Sequence, residues 1–98
     1  MRHRILVVSD SPLSRDLLSV RFQTRGYEVA AVSGIEDAFY AVSRVHPHAV
    51  LLDLQLCDAD GFLLAAWMRQ QTLLREVPVI AVTPHSVAVE EEAVLEMQ

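Results

Sequence analysis

Cysteine, lysine, glycine and proline are all scarce in this 98-residue chain. The single cysteine, Cys57, excludes an internal disulfide and fits a reducing compartment, so a cytoplasmic location is expected. Lysine is absent altogether: all 8 basic residues are arginine, against 13 acidic ones, for a net charge of −5. With no basic cluster in that balance, direct nucleic-acid binding is not expected. Only 3 glycines and 4 prolines interrupt a composition that is 52% apolar, which argues against disorder and against linker or collagen-like sequence. Long apolar runs are missing too. Ala49–Leu52, Val79–Val82 and Phe62–Met68 all fall well short of the roughly 20 residues of a membrane span. The start, Met1-Arg-His-Arg, leads into four apolar residues before Ser9 and Asp10, too few for a signal peptide. The length and composition describe one domain with one modest core, spanning residues 1–98.

The pattern alternates strands with helices. Arg4–Ser9 is short, apolar and β-branched, as a strand covered on both faces must be. Ser11-Pro12 marks a helix start. In that helix Leu13, Leu17 and Val20 share one face, with Leu18 and Phe22 beside it, and Gly26 is placed for a left-handed C-cap. Tyr27–Val32 reads as a second strand. Ser33 with Glu36 is a capping-box pattern opening a helix that carries Ala38, Ala41, Val42 and Val45 and stops at His46-Pro47. Ala49–Asp53 is a third buried strand. Asp60-Gly61 opens a third helix with Phe62, Leu63, Ala66 and Trp67, and Pro78–Thr83 is a fourth strand. Ser86 can cap a fourth helix. Four β–α units in succession imply a parallel sheet with helices on both faces.

Ligands of such sheets bind beyond the carboxyl ends of the strands. Ser9 and Asp10 follow the first strand, Asp53 ends the third and Thr83 ends the fourth. Two carboxylates and a hydroxyl on one rim suit a hard cation or a phosphoryl group. A carboxylate at the lip of a core strand can attack phosphorus when a cation screens its charge. Ordinary structural roles also fit: Asp53 as a turn residue, Asp10 as a helix cap beside Ser9 or Ser11, Thr83 as a strand-end hydroxyl. Asp58-Ala-Asp60-Gly61 lacks the further ligands of a calcium loop and reads as turn plus cap. His46 and His48 flank Pro47, while His3 and His85 stand apart, a spacing that does not suit zinc. Cys57 and Trp67 read as packing residues, and Glu90, Glu91 and Glu92 as a solvated helix face that could also meet a partner.

These residues carry a family resemblance. Arg4-Ile-Leu-Val-Val-Ser-Asp-Ser-Pro12 resembles the first strand and acidic turn of the receiver domains of two-component response regulators and hybrid histidine kinases. His48-Ala-Val-Leu-Leu-Asp-Leu-Gln-Leu-Cys-Asp-Ala-Asp-Gly-Phe62 resembles their phosphoacceptor strand and following loop. Val77-Pro-Val-Ile-Ala-Val-Thr-Pro-His85 resembles their fourth strand with its switch hydroxyl. The three matches fall in the family's order across essentially the whole chain. The resemblance implies a flavodoxin-like doubly wound fold with strand order 2-1-3-4-5. It implies a signalling module, not an enzyme, in which Asp53 accepts a phosphoryl group from the histidine of a partner kinase or phosphotransfer protein. Mg²⁺ would be held by Asp10, Asp53 and the backbone carbonyl of Gln55, and the Thr83 hydroxyl would turn towards the phosphoryl oxygens.

Three departures stand beside the match. Ser9 occupies the place of the family's other metal-site acid, so weaker Mg²⁺ binding is expected. Cys57 replaces a usual proline. The family's fifth β–α unit has no counterpart, and with it go the usual lysine and aromatic switch residue. The fourth strand is then expected to present an exposed edge through which a homodimer could form. A pseudo-receiver, with the same fold but no phosphorylation, is the alternative function. A phosphohydrolase of the haloacid-dehalogenase type is disfavoured because Gln55 stands where its second aspartate is required. A nucleotide-binding module is disfavoured because no glycine-rich loop follows the first strand.

Overall fold

The computed structural model describes residues 2–53 and 59–82. Four parallel strands make one sheet: β1 (Arg4–Val8), β2 (Glu28–Val32), β3 (Ala49–Asp53) and β4 (Val79–Val82). Three helices connect them: α1 (Pro12–Gln23), α2 (Ile35–Val45) and α3 (Ala59–Arg69). The strand order is β2-β1-β3-β4, so the chain runs outward from β1 to β2, then crosses back past β1 to β3. This is the doubly wound order expected from the resemblance, as far as its fourth strand. The proposed fourth helix, with Ser86 and Glu90 to Glu92, lies outside the described residues.

The two central strands explain the order. Every residue of β3 is buried, as are Ile5 to Val8 of β1. Alternation then divides these apolar side chains between two layers. Ile5, Val7 and Leu51 pack with Leu18 and Phe22 of α1 and with Tyr27. Leu6, Val8, Val50 and Leu52 pack with Ala38 and Val42 of α2 and with Leu64 and Met68 of α3. Phe22 lies edge-on to Tyr27, with ring centroids 5.8 Å apart, and Phe39 edge-on to Trp67 at 5.4 Å. Side chains of this size each contribute about 1.5–3 kcal/mol by burial.

Several local expectations are corrected. In α1 the face turned to the sheet is Ser14, Leu18 and Phe22, while Leu13, Leu17 and Val20 stay exposed. In α3 Leu64 and Met68 are buried and Phe62 and Leu63 exposed, because a helix lying on a sheet buries one strip only. The capping box at Ser33 does not form. Gly34 is the N-cap of α2, and the Ser33 hydroxyl donates to Asp37 Oδ2 at 3.4 Å. Gly26 has the positive φ expected of it, 93°, but α1 has already ended with Thr24 as its C-cap. His46 closes α2 in the left-handed region, at φ 52°.

Candidate functional site

The carboxyl ends of β1 and β3 lie side by side. Their register pairs Val8 with Leu52, which brings the next residues, Ser9 and Asp53, together at the rim of the sheet. Both are buried: Ser9 is 0% and Asp53 4% exposed. The Ser9 hydroxyl donates to Asp53 Oδ2 at 2.7 Å. Its oxygen in turn accepts the Ser11 backbone N–H at 3.2 Å. The hydroxyl has a single proton, and the carboxylate is much the nearer acceptor, since the Ser11 carbonyl stands 3.5 Å away. Ser9 therefore links the phosphoacceptor candidate to the turn that opens α1.

That turn is built locally. Ser11 is the N-cap of α1, its hydroxyl accepting the Ser14 N–H at 3.3 Å, and Pro12 takes the first helical position. Of the residues weighed as the cap, Ser11 thus fills the place. Asp10 is exposed on the same loop. Arg15, one turn into α1, reaches back to donate from Nη1 to the Ser9 carbonyl at 2.8 Å. Arg15 is not among the candidate residues that the sequence pattern singles out. A side chain that clamps a backbone carbonyl leaves no spacing signature, although an arginine six residues past a strand end within reach of an acidic rim is a weak pointer.

On the other side β3 pairs with β4 in a register that sets Asp53 opposite Val82. The sequence-derived site residues Gln55 and Thr83, and Cys57 and Asp58 near them, lie outside the described residues. Of the candidate residues, Ser9 and Asp53 meet in the described structure, and Asp10 follows Ser9 on the exposed loop. Chemically this rim offers oxygen donors only, two of them carboxylates, at the place where a doubly wound sheet receives its ligands.

A model of the response regulator receiver domain family matches residues 5–98. The chain belongs to that family. The receiver domain is 36% identical over 81 residues to the DNA-binding dual master transcriptional regulator RpaA of Synechocystis sp., covering 82% of this chain but only 33% of that relative. It is 32% identical over 94 residues to the polar-differentiation response regulator DivK of Brucella ovis, covering 96% of this chain and 76% of DivK. Among solved structures it resembles the chemotaxis response regulator CheY4 of Vibrio cholerae, with a TM-score of 0.81 at 17% identity over 96% of this chain and 99% of that one. A CheY-like receiver domain from Methylobacillus flagellatus matches with a TM-score of 0.82 at 19% identity, each chain covered in full. At such identities these two structures speak for the fold, which is the CheY-like one. Among the described residues no helix is long and apolar enough to cross a membrane.

At the opposite end of the sheet the structure joins residues that the sequence reading kept apart. The His3 and His48 rings meet edge-on, with centroids 4.7 Å apart. His48 Nδ1 accepts the Arg4 backbone N–H at 2.8 Å, and the His48 N–H donates to the Arg4 carbonyl at 2.7 Å. The Arg4 guanidinium donates to the Val45 and His46 carbonyls that end α2. Partial desolvation, then the Arg4 and His3 charges, hold the His48 pKa below the usual histidine value.

Proposed function

We propose that Asp53 accepts a phosphoryl group from the phosphohistidine of a partner kinase or phosphotransfer protein, and that its phosphorylated form switches a protein-interaction surface. The buried Asp53 carboxylate at the carboxyl end of the central strand β3, joined to Ser9 at 2.7 Å, carries this reading. In the transfer a carboxylate oxygen of Asp53 forms the new bond to phosphorus as the phosphorus–nitrogen bond breaks. The imidazole of the donor leaves with the electron pair and takes up a proton from solvent.

The donor set fits a hard divalent cation in kind, with one fewer acid than the family's usual pair provides. Asp10, Asp53 and the Gln55 backbone carbonyl would hold Mg²⁺, which when bound supplies positive charge against the phosphoryl oxygens. Ser9 adds a neutral donor where a second acid would add charge, so weak Mg²⁺ binding is part of the proposal. Thr83 is the switch hydroxyl in this reading, and the single cysteine suits work in the cytoplasm.

A second reading is favoured by the same Ser9: a pseudo-receiver that acts only through protein contacts. Intact-mass analysis after incubation with a small acyl phosphate and Mg²⁺, beside an Asp53→Asn control, separates the two. A single phosphoryl adduct in the parent protein, absent from the control and with EDTA, supports acceptance at Asp53. A folded protein that takes no adduct supports the pseudo-receiver.

A further inference from the structure

The amino end of the sheet, opposite Asp53, holds a cavity of about 640 Å³ between the start of β1, the turn from α2 into β3 and the turn from α3 into β4. That size falls within the roughly 300–1,000 Å³ of small-molecule sites. Pro47, Leu74 and Val77 supply an apolar wall. The polar lining is Arg4, His46, His48, Thr72 and Arg75, with Glu76 as its one acid. In a chain of net charge −5 this is a local concentration of basic groups.

The lining has spent acceptors and kept donors. Arg4 donates from Nε to the Val45 carbonyl and from Nη2 to the His46 carbonyl, both at 2.9 Å, and so covers carbonyls at the end of α2 that would repel an anion. Arg69 Nη1 does the same for the Arg75 and Val77 carbonyls, at 3.1 and 2.9 Å. Arg4 Nη1 is left over. Among the described residues it has no hydrogen-bond partner, nor have the side chains of His46, Thr72 and Arg75, and Glu76 pairs with neither guanidinium. His48 Nδ1 accepts the Arg4 N–H at 2.8 Å, so the neutral ring carries its proton on Nε2, a further donor. Partial desolvation, then the Arg4 and His3 charges, hold the His48 pKa below its ordinary value, which keeps that ring neutral at pH 7. The His48 N–H donates in turn to the Arg4 carbonyl at 2.7 Å, so the two residues are fixed against each other before any ligand arrives.

We infer that this cavity binds a small organic phosphate monoester, its phosphoryl oxygens held by the Arg4 and Arg75 guanidinium groups and the His48 Nε2–H, and its carbon body set against Pro47 and Leu74. A guanidinium presents paired N–H groups that match two oxygens of one phosphate. Two guanidinium charges balance a phosphate dianion, where a single carboxylate would leave one of them uncompensated. The cavity is separate from the phosphoacceptor rim: Arg4 begins β1 and His48 leads into β3, the strands whose far ends carry Ser9 and Asp53. It does not depend on whether Asp53 accepts a phosphoryl group.

The test is titration of the 98-residue chain with phenyl phosphate, without divalent cations, followed by the histidine ring resonances in heteronuclear NMR. At about pH 7.5 the probe is chiefly the dianion. The His46 and His48 resonances are expected to shift together along one saturable curve. Arg75→Gln removes a guanidinium with no protein partner to lose, and is expected to weaken binding at least about tenfold. Arg44→Gln removes the same charge outside the cavity, where Arg44 lies over the Tyr40 ring, and is expected to leave the affinity unchanged. Benzoate, of similar body but a single negative charge, is expected to bind the parent at least about tenfold more weakly. Circular dichroism confirms that each variant is folded. Three results overturn the inference: no saturable shift with phenyl phosphate; equal weakening by the two substitutions, which marks diffuse attraction to surface charge; or benzoate binding as tightly as phenyl phosphate, which assigns the cavity to carboxylates.

Discussion

The Ser9 hydroxyl is bonded to the Asp53 carboxylate at 2.7 Å, with both side chains buried at the junction of β1 and β3. A hydrogen bond to a charged acceptor contributes more than a neutral one, and here it also gives the Ser11 N–H its acceptor. Ser9→Ala removes the donor to Asp53 and the acceptor for Ser11 in one step. It is expected to lower stability by about 1–3 kcal/mol, read as a lower urea midpoint with an unchanged slope. A midpoint equal to that of the parent protein contradicts the assigned role.

Ser9→Asp tests the charge argument from the other side. It places a second carboxylate where a hydroxyl now donates to the first, so without divalent cations the variant is expected to be less stable than the parent. Adding Mg²⁺ raises the midpoint in proportion to how well the folded state binds it. The Mg²⁺-induced rise in Tm is therefore expected to be larger in Ser9→Asp than in the parent. Equal rises would show that the charge of residue 9 does not govern cation affinity here.

How far the sequence carried depends on which residues are considered. The strands were legible because β1 and β3 are buried on both faces and so read as unbroken apolar runs ending at Ser9 and Asp53. Which side of α1 meets the sheet was not legible. Leu13, Leu17, Leu18, Val20 and Phe22 together cover about half the helix circumference, and periodicity alone does not choose between two strips of that arc. The sheet buries Ser14, a polar residue, and exposes Leu13, because strand geometry sets the approach of the helix. Asp53 and Asp10 stand out as site candidates by their place after strands, while Arg15 does not, because its partner is a backbone carbonyl. The Ser9–Asp53 bond follows from strand order, which a list of elements does not contain.

Gly26 and His46 both adopt positive φ, and substitution is expected to treat them oppositely. At Gly26, φ 93°, an added Cβ meets nothing within 4 Å, so the cost of Gly26→Ala is that of the backbone conformation alone, about 1–2 kcal/mol. At His46, φ 52°, glycine relieves a left-handed residue but adds freedom to the unfolded chain. Each effect is roughly 1 kcal/mol, and they offset, so His46→Gly is expected to leave stability nearly unchanged. The fluorescence of Trp67, the protein's single tryptophan, half-buried beside Phe39, reports both unfolding curves. Equal losses at the two positions would contradict this account.

The pH dependence at the amino end of the sheet follows from His48. Its Nδ1 accepts the Arg4 N–H, so a proton placed there would set donor against donor, beside the charges of Arg4 and His3. His46, Arg75 and Glu76 line the same surface pocket. The folded-state pKa of His48 is lowered below the ordinary 6.5, so between the two values the unfolded chain binds the proton and the folded chain does not. Stability contributed by neutral His48 is thus present above pH 6.5, falls as the pH drops through 6.5, and levels off once the folded-state pKa is passed. His48→Gln keeps an acceptor for the Arg4 N–H but does not titrate. The urea midpoint of the parent, measured against this variant, is therefore expected to fall on going from about pH 7.5 to about pH 5.5. A difference that stays constant across this range would show that His48 does not couple folding to protonation.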